Sequence, residues 1–204
     1  MQRYFLTVMG TILFALAGVA RTNFLVAVTS VNSQIRLDIR YATTNNFTGQ
    51  QVYPVPQAYL RPAVAEKLSR AQNELMQQGL GLKVFDAYRP LTVQKKFWAI
   101  LPDERYVANP VKGSRHNRGS AVDITLIRLN TGEELPMPTD YDNFTEKAHY
   151  AYTNLPPEVL RNRTLLRDTM VRNGFVPFDT EWWHFDDAAW ETYALLDLTI
   201  ESLP

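Results

Sequence analysis

Residues 114–127 read SRHNRGSAVDITLI, a polar loop followed by a run in which apolar side chains alternate with others. The alternation predicts a strand from Ser120 to Ile127, with Asp123 on one of its faces. A carboxylate inside such a strand is costly to bury unless it is paired or bound to a metal. Gly119 permits a sharp turn, which would bring His116 back over Asp123. For this segment alone, hydrogen bonds from the same two side chains to the backbone are the alternative interpretation.

A second group of polar residues in an apolar setting lies at residues 180–185, which read TEWWHF. Glu181 and His184 stand among three aromatic residues, and the chain has only three histidines. In an ideal strand Glu181 would point away from the face that carries His184, so we expect it on the preceding loop or at a bulge. An aromatic core strand with one polar edge is the alternative, but it does not explain this His and Glu.

Together the two segments offer three metal ligands, His116, Asp123 and His184. The chain contains no cysteine, so any metal must be held by His, Asp or Glu. Imidazole and carboxylate suit zinc, and three protein ligands leave one position open for water, as in catalytic zinc sites. Glu181 is then the spare carboxylate and a candidate general base. Arg89 is a candidate for oxyanion stabilisation, although a lone arginine is more often a surface residue.

The hydrophobic pattern around these segments predicts strands interleaved with helices. Three helices are predicted. The first starts near Pro62 and stops at Gly79, the second covers about Leu91 to Ile100, and the third runs from about Pro157 to Asn173. The predicted strands are Phe24 to Val31, Ile35 to Tyr41, Leu82 to Tyr88, Ser120 to Ile127, Phe175 to Val176 and Trp182 to Phe185, and the tail from Trp190 is predicted to be extended. Because no regular βαβ rhythm appears, we expect a single α+β domain with a mixed or antiparallel sheet, flanked by helices, and a zinc cleft.

The composition indicates one globular domain. The chain has 204 residues, of which 46% are hydrophobic, enough to bury a sizeable core. Its 21 basic residues are balanced by 21 acidic residues. Nucleic-acid-binding proteins normally carry a basic excess, so we expect no nucleic-acid partner.

The first 20 residues differ from the rest of the chain. Arg3 is followed by an uncharged and mostly apolar run from Tyr4 to Ala20, which ends in small residues. This order is typical of a secretory signal peptide. An uncleaved N-terminal anchor is the alternative, with membrane contact through this segment only, and a buried first helix is a third interpretation. We expect residues 1–20 to direct export to the periplasm or cell envelope, and residues 22–204 to form the domain.

Over roughly residues 34–186 the sequence resembles the VanX-like zinc D-alanyl-D-alanine dipeptidases. The family pattern Ser-x-His-x-x-Gly-x-Ala-x-Asp is present from Ser114 to Asp123, and the Glu-x-Trp-His element from Glu181 to His184. This pair of motifs also fits a wider group that includes zinc D,D-carboxypeptidases. The dipeptidase branch is favoured by Tyr41-Ala42-Thr43 with Asn46-Phe47-Thr48-Gly49, and by Asp86-Ala87-Tyr88-Arg89-Pro90.

The resemblance implies one zinc ion per chain on His116, Asp123 and His184. It also implies that Glu181 is the general base and that Arg89 stabilises the transition state. For a small dipeptide substrate, it suggests that the ammonium end is held by Asp142 and Tyr41 and that Ser114 contacts the dipeptide.

We therefore expect zinc-dependent hydrolysis of D-Ala-D-Ala to D-alanine. One alternative is a peptidoglycan D,D-carboxypeptidase or endopeptidase, with the same metal site and a more open groove. Another is a non-catalytic cell-wall-binding domain stabilised by zinc. Glu181 argues against the binding domain, because zinc binding does not require it.

Overall fold

The centre of the molecule is a mixed β-sheet, seen in a computed structural model that describes residues 24–203. In chain order the strands are β1 (Val26–Ala27), β2 (Arg36–Leu37), β3 (Tyr59–Leu60), β4 (Leu80–Asp86), β5 (Ala121–Arg128), β6 (Phe175–Phe178) and β7 (Glu181–Asp187). The central sheet has five strands in the order β2-β4-β5-β7-β6, while β1 and β3 form a separate antiparallel pair. Only the β2–β4 pair of the central sheet is parallel. The predicted α+β fold with a mixed sheet is therefore confirmed.

The helices are α1 (Val28–Val31), α2 (Pro62–Met76), α3 (Leu91–Ile100) and α4 (Pro157–Arg172). The apolar stripe that predicts α2 is fully buried, and the chain turns at Gly79 with a left-handed φ of 70°. Helices α2 and α4 pack against each other and against the sheet. Within residues 24–203, no helix has both the length and the apolar character needed to cross a membrane.

Two predicted strands are much shorter than their hydrophobic pattern suggests. In the segment Phe24 to Val31 only β1 is a strand, and the remainder includes the single helical turn α1. In the segment Ile35 to Tyr41 the strand is β2 alone, because the chain leaves β4 after the Asp38 amide donates to the Val84 carbonyl. A 3-10 turn at Arg40–Ala42 follows and places Tyr41 in the core.

The C-terminal tail is only partly extended. It contains 3-10 turns at Trp190–Thr192 and Ile200–Ser202, with irregular backbone between them. Its amides bond to neighbouring loops instead of to a strand: the Leu196 amide donates to the Asn117 carbonyl, and the Leu198 amide donates to the Tyr88 hydroxyl. The predicted signal peptide or anchor at residues 1–20 lies outside the described residues.

The strand register brings the two polar segments together. Asp123 of β5 stands opposite Asp86 of β4 on one side and His184 of β7 on the other. The β6–β7 ladder is irregular, since Pro177 pairs with Phe185 while Phe178 pairs with Glu181. Glu181 is thus the first residue of β7 and lies next to a register shift. This agrees with the prediction that it lies on the preceding loop or at a bulge.

Candidate metal centre and active site

Three buried side chains converge at the register row of Asp123. His116 Nε2 lies 3.2 Å from His184 Nδ1 and 3.4 Å from Asp123 Oδ1. His184 Nδ1 and Asp123 Oδ1 are 3.0 Å apart. A tetrahedral ion with bonds of about 2.0–2.2 Å has ligand–ligand separations of roughly 3.3–3.6 Å. The three ligand atoms are therefore close to the spacing that zinc requires.

The outer contacts of these side chains orient them for a metal. His116 Nδ1 donates to the Ala87 carbonyl at 2.6 Å, and His184 Nε2 lies 2.9 Å from Asp186 Oδ1. Each ring thus presents its other nitrogen, with a lone pair, to the centre of the trio. The remaining oxygen of Asp123 accepts the Tyr141 hydroxyl at 2.9 Å. The donor set and its orientation fit zinc.

His116 is held by a short turn that precedes β5. The 3-10 turn His116–Arg118 ends at Gly119, whose φ of 68° is left-handed. Ser114 Oγ accepts the His116 amide at 3.2 Å, and the Asn117 side chain accepts the Ser114 amide and donates to the Arg89 carbonyl. The turn is therefore fixed by its own polar side chains, and Ser114 lines the pocket beside it.

Glu181 is buried beside the trio, with its Oε2 3.9 Å from His184 Nδ1. Burial raises the pKa of this carboxyl to about 8; the charge of His184 opposes that rise, and Asp123 and Asp142 add to it. For Asp123 the balance is reversed: burial opposes its ionisation, but His116 and His184 hold its pKa well below the usual range. The site thus contains two carboxyl groups with opposite proton affinities.

Arg89 follows β4 and its side chain is almost fully buried in the same pocket. Its Nε and Nη2 donate to Asp86 Oδ2, and its Nη1 donates to Gln94 Oε1 at 2.9 Å. Burial would lower the pKa of the guanidinium, but the Asp86 carboxylate and the neighbouring tyrosines together outweigh burial, and the pKa is raised. The guanidinium also lies 4.7 Å from the centroid of the Phe97 ring. This cation is therefore fixed in position.

Asp142 and Tyr41 meet at another part of the pocket. The Tyr41 hydroxyl donates to Asp142 Oδ1 and the Phe47 amide donates to Oδ2, both at 3.1 Å. Asp142 is the one non-glycine residue of the described chain with a positive φ, 60°. Burial raises its pKa to about 7, partly offset by the Phe47 amide. The strained backbone holds a carboxyl group that titrates near neutral pH.

The structure thus places all eight predicted site residues in one pocket. Sequence reasoning missed the partners that orient them, Asp86, Tyr141 and Asp186. Asp186 lies two positions after His184 and therefore on the same strand face, a signal that could have revealed it. The loop between α3 and the His116 turn also lines the pocket, with Tyr106 stacked on Phe144 at 4.9 Å.

Comparisons with known proteins agree on one family. Residues 21–196 match the Peptidase_M15 family model, described as D-ala-D-ala dipeptidase. The D-alanyl-D-alanine dipeptidase of Escherichia coli (strain K12) is 34% identical over 175 residues, which cover 86% of this chain and 90% of that protein. The enzyme of the same name from Enterococcus faecium is 36% identical over 171 residues, covering 74% of this chain and 85% of that protein.

Among solved structures, VanYB in complex with D-Alanine-D-Alanine aligns with a TM-score of 0.42 at 17% identity, over 66% of this chain and 75% of that chain. The family match spans most of the described chain and includes both motifs of the pocket. The predicted family is confirmed: the chain belongs to the Peptidase_M15 family of D-Ala-D-Ala dipeptidases.

Proposed function

We propose that this chain is a zinc-dependent dipeptidase that hydrolyses D-Ala-D-Ala to two molecules of D-alanine. The proposal rests on one juxtaposition: the His116, Asp123 and His184 trio shares its pocket with Glu181 and Arg89. The family supports the substrate, since the relatives reported above are named for that dipeptide. The cavity volume of about 90 Å³ also suits a small molecule, because one water needs ~10–15 Å³ by the same measure.

The metal trio defines where the reaction takes place. Zinc bound by these side chains would polarise the scissile carbonyl as a Lewis acid and make the attacking water more acidic. The orienting contacts from Ala87 and Asp186 keep both histidines directed at that position.

Glu181 is assigned the proton transfers. It accepts a proton from the attacking water and then delivers it to the leaving amine. A pKa of about 8 suits both steps, because the carboxyl group neither holds nor releases the proton too strongly near neutral pH.

Arg89 is assigned the stabilisation of the oxyanion that develops on the scissile carbonyl. A guanidinium has five N–H groups, and Asp86 and Gln94 accept from its three nitrogens. Each terminal nitrogen keeps a second N–H that can donate to the developing negative charge. Because the cation is already held in place, no reorganisation is needed during the reaction.

The substrate ammonium group is assigned to Asp142 and Tyr41, and Ser114 is assigned a contact to the dipeptide. Asp142 is anchored by two hydrogen bonds and lies half-buried in the pocket wall. A carboxylate in this setting favours a free ammonium group over an acylated nitrogen, which brings no charge.

The test compares kcat/KM for D-Ala-D-Ala and for N-acetyl-D-Ala-D-Ala. We expect the free dipeptide to be preferred by at least ~10²-fold, equivalent to about 2.7 kcal/mol of transition-state binding. A preference for the acetylated substrate would instead establish the D,D-carboxypeptidase alternative. Hydrolysis of neither, with zinc bound, would favour the cell-wall-binding domain.

We also propose that the chain is exported and acts in the periplasm or cell envelope. The support is the order of charge, apolar run and small residues in 1–20, and the family match that starts at residue 21. Mass analysis of the protein from the envelope fraction should give a mature chain that starts near residue 21. Recovery of the full-length chain from the cytoplasm alone would contradict export.

A further inference from the structure

Arg115 is a cation of the pocket wall that lacks hydrogen bonds. Three arginines line the pocket, and Arg89 and Arg105 each donate to an aspartate. The Arg115 side chain donates no hydrogen bond within residues 24–203, and its buried Nε has no hydrogen-bond partner. Its guanidinium carbon lies 4.6 Å from the centroid of the Trp190 ring, and the Asp186 carboxylate is 3.6 Å from Nε. The Trp190 ring thus covers the guanidinium, while its two terminal nitrogens make no hydrogen bond within residues 24–203.

Arg115 and Asp142 both line the pocket that holds the metal trio. A chain of side-chain contacts links Tyr141 to Asp123, His184, Asp186 and finally Arg115. Each intermediate group uses one polar atom toward its predecessor and the other toward its successor. Asp142 adjoins Tyr141 at one end, and Arg115 stands at the other. A dipeptide bound in this pocket therefore meets a carboxyl group at Asp142 and a cation at Arg115, the charges that complement its ammonium and carboxylate ends.

We propose that Arg115 binds the C-terminal carboxylate of the substrate, with the Ser114 hydroxyl as a second donor. The inference rests on the proposed function, because a free dipeptide carries a carboxylate as well as an ammonium group. A planar guanidinium matches the two oxygens of a carboxylate. Ser114 Oγ accepts the His116 amide, which leaves its O–H free to donate.

The position of Arg115 makes the carboxylate part of substrate selection. Its side chain is 38% exposed, so it lies at the mouth of the pocket, where an incoming anion meets it. Arg89 is already paired with a buried aspartate, and Arg105 is 73% exposed and bound to Asp103. A substrate extended at its C-terminus, or amidated there, places no charge against Arg115.

The experiment compares kcat/KM for D-Ala-D-Ala and for its C-terminal amide in the zinc-loaded wild type, in Arg115→Gln and in Arg105→Gln. In Arg115→Gln we expect a loss of about 10- to 150-fold for the free acid, mainly through KM, as for loss of a hydrogen bond to a charged group. The amide should be little affected, so the acid-to-amide preference falls by that factor. Arg105→Gln removes a cation from the same pocket and should keep the preference.

The contrary results are distinct. An equal loss on both substrates would mean that Arg115 acts only through Asp186 on His184, and this would overturn the inference. An unchanged preference in an active enzyme would overturn the inference alone, whereas an inactive wild type would overturn the proposed function and the inference with it. If Arg115→Gln fails to fold, Arg115→Lys is the second variant. It keeps the positive charge but lacks the planar guanidinium, so it should still lose part of the preference for the free acid over the amide.

Discussion

At the scale of single residues, Glu181 is unusual because its carboxyl group is buried yet accepts no hydrogen bond within residues 24–203, with His184 Nδ1 3.9 Å away. Folding therefore does not depend on its charge, and Glu181→Gln should keep the zinc content and the unfolding temperature. Its kcat should fall by at least ~10²-fold, as expected for loss of a general base. Glu104→Gln is the control, since Glu104 lines the same pocket but pairs with the exposed Lys112. Near-normal turnover in folded Glu181→Gln would remove its assigned role.

Asp142 gives a prediction with a defined pH direction. Its pKa is raised to about 7, so the group is neutral below that pH and charged above it. If the charged form holds the substrate ammonium, KM for D-Ala-D-Ala should fall as pH rises toward 7 and then level off. Asp142→Asn should raise KM and remove this dependence, while Asp140→Asn, at an exposed position nearby, should do neither. A pH profile of KM that Asp142→Asn leaves unaltered would refute the assignment.

The residue types of the site could be read from the sequence, but their supporting contacts could not. Scarce histidines and carboxylates in apolar segments identify the trio and Glu181, because such groups need a partner. Asp86 and Asp186 resemble ordinary strand ends until the register of β4, β5 and β7 is known. That register depends on pairing between distant segments, which a local pattern does not contain.

At the scale of elements, periodicity predicted the long helices well and the short strands poorly. Helix α3 spans the predicted range, and α2 and α4 differ from prediction only at their ends. A helix forms its backbone hydrogen bonds within its own segment, so an apolar stripe in that segment is enough to predict it. A strand exists only where a neighbour pairs with it, and β1 and β2 each find a partner for two residues.

The turn at Gly119 provides an element-scale prediction. Its φ is left-handed, and a Cβ there would lie 2.4 Å from the Leu25 side chain, so Gly119→Ala adds a clash to backbone strain. We expect a loss of about 1–3 kcal/mol in the free energy of unfolding, together with weaker zinc binding. Gly132→Ala is the matched control, with a φ of 76° and open space around the new Cβ. Equal effects of the two variants in urea unfolding would show that packing at Gly119 is unimportant.

At the scale of the whole molecule, a bound metal would connect parts of the chain that are far apart in sequence. His116, Asp123 and His184 belong to a turn and two strands, so zinc stabilises the folded state over the unfolded one. When free zinc is at a hundred times its Kd, binding adds about 2.7 kcal/mol to the free energy of unfolding. For a domain of this size that raises Tm by roughly 5–10 °C. Calorimetry with and without chelator should show this shift. His184→Ala should abolish it, His149→Ala should preserve it, and a shift that survives in His184→Ala would exclude this site.

The order of the three ligands along the chain has a consequence for biosynthesis. His184 follows Asp123 by 61 residues, so during synthesis two of the ligands leave the ribosome well before the third. Until His184 emerges, a nascent chain lacks the complete trio, and a chain exported unfolded would reach the far side of the membrane without a formed site. The identity of the metal is then determined by the ions available where the final strand pairs, and not by those of the compartment where translation occurs.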